Sequence, residues 1–253
     1  MRWSGMELVT IGRNDDLRTH GKTSKLNSLL PTVLRNWWGF YYPGGNVIRR
    51  TLVVVDYQNI HLTAHGQWCS NGAPVHDCLI HPLHFANQVI QVRNLVRRLA
   101  VERNGGEFEE LKLAKVRSFR GLPSNKRAPK QYQRSQRQKS EWTRDSRSEV
   151  EYRALKYYTE NGRTVAREKG VDVMVALDLV VGAAGKDFDT VILATHDTDV
   201  EPALALAARI GGAQIETAGW MNCKRLTVSG STFWHTALDE NRFIASQDQS
   251  DYS

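Results

Sequence analysis

Short runs of β-branched and aliphatic residues alternate along this chain with stretches of helical periodicity. Thr51-Leu52-Val53-Val54-Val55 runs into Asp56, residues 113–119 end at the turn signal Arg120-Gly121-Leu122-Pro123, residues 150–155 form a third run, Thr190-Val191-Ile192-Leu193-Ala194-Thr195 a fourth, and residues 214–218 a short last one. Between them, Pro82 opens a predicted helix to about Arg103, with Phe85, Val89, Val92, Val96 and Leu99 as its core stripe and Arg93, Arg97 and Arg98 outside. Apolar helices are also predicted over residues 171–184 and 200–210, the latter stopped by Gly211-Gly212, and a basic helix from Pro129 to about Asp145. Residues 66–77 read as a polar loop and Asn161-Gly162 as a turn. Apolar strands alternating with helices predict an α/β domain with a mostly parallel central sheet flanked by helices.

The periodic part is bounded at about residues 48–220. Residues 1–47 form an N-terminal extension, poorly ordered or docking as a flap, with the aromatic cluster Trp37-Trp38-Gly39-Phe40-Tyr41-Tyr42. Residues 221–253 read as a C-terminal extension whose polar end is expected to be disordered.

Charge sharpens this picture. The chain carries +7, yet between Arg117 and Arg147 ten Lys/Arg face only Glu141 and Asp145, a local balance of +8. That stretch makes a polyanion the natural partner. Arg117, Arg120, Lys126, Arg127, Lys130, Arg134, Arg137 and Lys139 are the candidate backbone-tracking residues, with Tyr132 and Trp142 as stacking groups.

The candidate chemistry is acidic. In parallel sheets the ligand crevice lies beyond the carboxyl ends of the strands, where Asp56 and the pair Asp197 and Asp199 follow two of the runs. Asp172 adds a fourth carboxylate in the first turn of a helix, and Asp178, six residues on, points elsewhere if Asp172 faces the crevice. Packed carboxylates repel, so a hard divalent cation with oxygen ligands is expected between them.

Asp56-Tyr57-Gln58-Asn59 resembles the D-x-x-N at the first strand of NYN domains, a branch of the PIN-like nuclease superfamily. Lys169-Gly170-Val171-Asp172-Val173 with Ala176-Leu177-Asp178 is similar to that family's K-G-V-D-V-x-L-A-x-D helix, and Thr195-His196-Asp197-Thr198-Asp199 to its S-G-D-S-D box. The likeness covers roughly residues 48–220, with a bacterial-type Arg120-Gly121-Leu122-Pro123 after the second strand. It departs at His196, where the family has glycine, and at Val200, where it has phenylalanine. The resemblance implies a Rossmann-like sheet and endoribonuclease activity supported by Mg²⁺ or Mn²⁺, on RNA that is preferably single-stranded. It also implies that Asp56, Asp172, Asp197 and Asp199 hold the metal while Asn59 orients a carboxylate or substrate. His196 would bind phosphate or metal, or pack beside the strand end. A non-catalytic RNA-binding scaffold and a DNA-directed nuclease of the same superfamily are the competing expectations.

Three cysteines are too few for a disulfide framework, no run has the length of a membrane span, and no signal pattern opens the chain, so a cytoplasmic location is expected. His61, His65, Cys69, His76, Cys78, His81 and His84 lie close in sequence, but their spacing matches no standard zinc finger or knuckle and zinc is not expected. A homodimer is left open.

Overall fold

The computed structural model describes residues 47–69 and 72–252, so the expectation for the first 46 residues lies outside the described part. Chain order is β1 (Val47–Asp56), α1 (Tyr57–Trp68), α2 (Pro82–Asn104), β2 (Glu109–Leu122), α3 (Pro129–Trp142), β3 (Ser148–Ala154), β4 (Lys156–Glu160), β5 (Arg163–Arg167), α4 (Val171–Ala184), β6 (Thr190–Ala194), α5 (Glu201–Ile210), β7 (Gln214–Trp220), β8 (Trp234–Leu238) and α6 (Glu240–Ser246). Six strands form one sheet in the order β3-β2-β1-β6-β7-β8, every neighbouring pair parallel. The order runs outward in both directions from β1 and β6, as in a doubly wound Rossmann-like sheet, and the switch point between these two strands is where such sheets bind ligands. β4 and β5 pair as a separate antiparallel hairpin around Asn161-Gly162, both in the left-handed region.

The central strands are apolar because both faces are covered. Val53, Val55, Ile192 and Ala194 pack with Tyr57, Ile60 and Ala64 of α1, Phe85 and Val89 of α2, and Phe243 of α6. Leu52, Val54, Val191 and Leu193 face the other way, onto Val171, Val175, Leu179 and Ala183 of α4 and Leu204 and Ala207 of α5. Gly182 is part of this second contact: a Cβ there would meet the Leu52 side chain at 2.8 Å.

Four expectations change. Residues 66–77 are not all loop, because α1 runs to Trp68, capped at its start by Asp56. The stripe on α2 ends earlier than its periodicity suggests: Val96 and Leu99 are 44% and 48% exposed, whereas Arg93 is buried and paired with Glu216 of β7 at 2.8 Å. The later turns make side contacts instead, with Arg97 over Trp234 at 5.1 Å and Arg98 over Phe108 at 5.0 Å. Residues 221–252, expected as a C-terminal extension, belong to the domain, since β8 supplies the sixth strand, Phe243 enters the core and Tyr252 is buried. The polar end is held by Asp248, which accepts from Trp142 Nε1 at 2.6 Å and from the Tyr252 hydroxyl at 2.7 Å. Finally, Cys69 and Cys78 are disulfide-bonded, leaving Cys223 free. No helix among the described residues is long and apolar enough to cross a membrane.

Candidate metal centre at the strand ends

Asp56 ends β1 and performs two tasks. Its Oδ1 accepts the Asn59 amide at 3.2 Å, capping α1, while Oδ2 accepts the Thr195 hydroxyl at 3.2 Å from the end of β6. The same hydroxyl oxygen accepts the Asp197 amide at 3.1 Å, so Thr195 ties the two aspartates together across the switch point. The Asn59 side chain reaches the same loop, its Oδ1 accepting the His196 amide at 2.8 Å. Asn59 therefore fixes the course of residues 195–197 and does not meet a carboxylate through its side chain. Asp199 lies one short turn further, its amide donating to Asp197 Oδ1 at 2.9 Å, with its own carboxylate exposed.

Burial pushes the Asp56 carboxyl up to about 6, partly offset by its two hydrogen bonds and reinforced by the negative charges of Glu168 and Asp197. Glu168 is the site residue that sequence reasoning passed over. It precedes Lys169-Gly170 in the helix motif, yet its carboxylate accepts the Gly121 amide at the end of β2. Burial raises it as well, and Asp172, exposed on the first turn of α4, adds to the rise. The signal available in the sequence was only its position beside that motif.

Asp56, Asp197, Glu168 and Asp172 thus form a chain of like charges along the carboxyl edge of the sheet. Among the described residues, however, no three acids present oxygens within 4.8 Å of one another. The donors are all oxygen and suit a hard cation gripped by one or two carboxylates, with water completing its shell, which is the usual state of Mg²⁺.

His196 does not face this cluster. Its Nδ1 donates to the Lys224 carbonyl at 2.9 Å and its Nε2 accepts the Trp220 amide at 3.1 Å, a pairing that fixes the neutral tautomer. Desolvation lowers its pKa. The ring lies over Gly219, where a Cβ would overlap it, so the bulky residue is accommodated by packing beside the strand end. Asp178 is likewise turned away, bound to Arg117 Nη1 at 2.8 Å.

The basic candidates divide. Arg117 also pairs with Glu149 at 2.8 Å. Arg120 donates to Gln138 at 2.9 Å and lies over the rings of Tyr57, Trp142 and Tyr152 at 4.8, 5.6 and 5.9 Å. Both are parts of the scaffold. Lys126, Arg127 and Lys130 are exposed at the start of α3, with Arg127 over Tyr157 at 5.0 Å. Arg134 is half-buried, Arg137 reaches the Tyr252 carbonyl at 3.4 Å, and Lys139 sits over Tyr152 at 5.4 Å. Trp142 is wholly buried against Tyr57, ring centroids 4.9 Å apart, and has no free face for a base; Tyr132 is half-buried.

No protein-family model matches the chain, and no curated protein matches it. Among solved structures, it is similar to a protein of unknown function from Vibrio parahaemolyticus, 16% identical over 76% of this chain and 94% of that one, with a TM-score of 0.44. That likeness carries nothing about activity.

Proposed function

We propose that this protein is a divalent-metal-dependent endoribonuclease acting on single-stranded RNA at the carboxyl edge of its sheet. The observation that carries the reading is the link Asp56–Thr195–Asp197 across the β1/β6 switch point, with Glu168 close enough to raise the Asp56 carboxyl further. Three elements distant in sequence bring negative charge to one edge, and a buried, destabilised carboxylate at its centre is a mark of functional sites.

Asp56 and Asp197 would hold Mg²⁺ or Mn²⁺, with Asp199, Asp172 and Glu168 reaching the ion or its waters. When bound, the ion neutralises the scissile phosphate and lowers the pKa of a water. Thr195 and Asn59 keep the two loops in register. Glu168, raised by burial, can hold a proton for the leaving 3′ oxygen or accept one from the attacking water. Hydrolysis of this kind leaves a 5′-phosphate and a 3′-hydroxyl. Lys126, Arg127 and Lys130 would track the phosphates entering the crevice.

The test mixes purified protein with end-labelled RNA and matched DNA in Mn²⁺ or EDTA. Cleavage of RNA that EDTA abolishes and Asp197→Asn removes supports the proposal. Intact RNA under every condition, bound tightly, would assign the fold to RNA binding alone, and preferential DNA cleavage would redirect it to DNA.

A further inference from the structure

A second group of ligands lies at the opposite end of α1 from Asp56. His65, in the last turn of that helix, Cys69, its C-cap, and Cys78, beyond the turn at Val75–Asp77, bring one ring nitrogen and two sulfurs to within 4.8 Å of one another. It is the only such group of three His, Cys, Asp or Glu ligands among the described residues.

The histidine is oriented as a ligand would be. His65 Nε2 meets the Ala73 carbonyl at 3.0 Å, and because a carbonyl only accepts, that nitrogen carries the proton. In the neutral ring Nδ1 then keeps its lone pair, the arrangement by which a backbone carbonyl commonly fixes metal-binding imidazoles. One helical turn earlier, His61 is 5% exposed with a buried Nε2 that has no partner, and its ring lies by the backbone of Val75 and Cys78. His61 itself lies outside the group of three, but its buried Nε2, one helical turn from His65, is a second imidazole nitrogen of this region without a geometric hydrogen bond.

We infer that, with the cysteines reduced, His65, Cys69 and Cys78 bind a zinc ion, and that His61 or a water fills the fourth position. Two thiolates with imidazole are a borderline-soft set that selects Zn²⁺ over Mg²⁺ or Mn²⁺. The site excludes the disulfide: a dithiol supplies two electrons and two protons to open the S–S bond, becoming a cyclic disulfide itself, and the ion then displaces both thiol protons. The bound ion would tether the C-terminal end of α1 to Cys78, leaving the Asp56 cap at the other end untouched. The inference does not depend on the nuclease reading.

Cobalt is the direct probe, because thiolate-to-cobalt charge-transfer bands arise only from sulfur ligation. The full-length protein, reduced with dithiothreitol, freed of reductant under nitrogen and shown to titrate three thiols, is expected to take one equivalent of Co²⁺ with those bands and tetrahedral visible bands. Zn²⁺ should then displace the Co²⁺. The double variant Cys69→Ser/Cys78→Ser should lose the charge-transfer intensity at least tenfold, and Asp197→Asn, at the acidic edge, should keep it. Reduced wild-type protein that titrates three thiols yet shows no charge-transfer band with excess Co²⁺ would overturn the inference whatever the variants do. Bands that survive in the double variant Cys69→Ser/Cys78→Ser would do the same, by placing the sulfur elsewhere.

Discussion

The acidic edge and the basic flank were equally conspicuous in the sequence, yet the fold treats them differently. At the edge, Glu168 and Asp197 both raise the Asp56 carboxyl, burial raises Asp56 and Glu168, and among the described residues no salt bridge to Lys or Arg reaches any of the three, the Arg120 charge only partly offsetting the rise at Glu168. On the flank, Arg117 is consumed by Glu149 and Asp178, and Arg120 by Gln138 and three aromatic rings. Charge that finds a partner within the fold holds the fold. Charge left unbalanced is what remains for a ligand, and on the flank that remainder is chiefly Lys126, Arg127 and Lys130.

The largest effect that would break this comparison is on chemistry. Asp197→Asn keeps the side chain's shape and the Thr195 contact, and is expected to lower RNA cleavage on the order of 10²–10³-fold, comparable to removing one group that stabilises transition-state charge. Its urea unfolding midpoint should stay close to wild type, and a large drop there would make the residue structural.

Arg120→Ala should do the reverse. It strips the cation from three rings and leaves the buried Gln138 carbonyl without its partner, costing about 2–3 kcal/mol in urea unfolding. Per-site salt dependence of RNA binding by the folded variant should be unchanged. A loss of affinity without a loss of stability would return Arg120 to the nucleic-acid surface.

Asp56 gives a pH test with a definite sign. Burial raises its carboxyl to about 6, so its ionised form is disfavoured in the folded state. The penalty is absent below the unfolded value near ~4, grows between the two values, and is complete above the folded one. In EDTA, Asp56→Asn should therefore stabilise the protein at neutral pH by up to roughly 3 kcal/mol, with the gain vanishing on acidification to about pH 4. Saturating Mn²⁺ should reverse the order, because the wild type alone gains the binding energy of the ion. Unfolding curves at several pH values, with and without metal, read both effects.

The smallest effect belongs to the exposed cations. Lys126→Ala and Lys130→Ala should leave stability unchanged, weaken RNA binding a few-fold, and each reduce the slope of log affinity against log salt by about 0.7, the single-strand value per phosphate contact. Slopes identical to wild type would move the RNA path away from α3.

How much of this could be read beforehand follows from burial. β1 and β6 are buried on both faces, so their composition announces them, and the acids beyond them follow from chain order alone. α1 was hidden because it is held by an aspartate cap and four buried side chains, Tyr57, Ile60, His61 and Ala64, set among polar neighbours with little periodicity to see. β8 alternates weakly at a sheet edge, and β4 and β5 are exposed and charged, so only their Asn-Gly turn was legible. Arg93 looked like surface because its partner, Glu216, is 123 residues away. Glu168 looked like one charge among several, since its meaning comes from the Gly121 amide, which no local pattern foretells. Trp142 looks available for stacking because it is an aromatic in a basic helix, and only the fold shows Tyr57 and Asp248 closing over it.

The most direct measurement is anomalous diffraction from crystals soaked in Mn²⁺. A peak is expected between Asp56 and Asp197, with water in the remaining ligand positions, and it should disappear in Asp197→Asn crystals soaked identically. Soaked wild-type crystals that show no peak at the β1/β6 edge, under conditions where Mn²⁺ supports or fails to support cleavage alike, would contradict it.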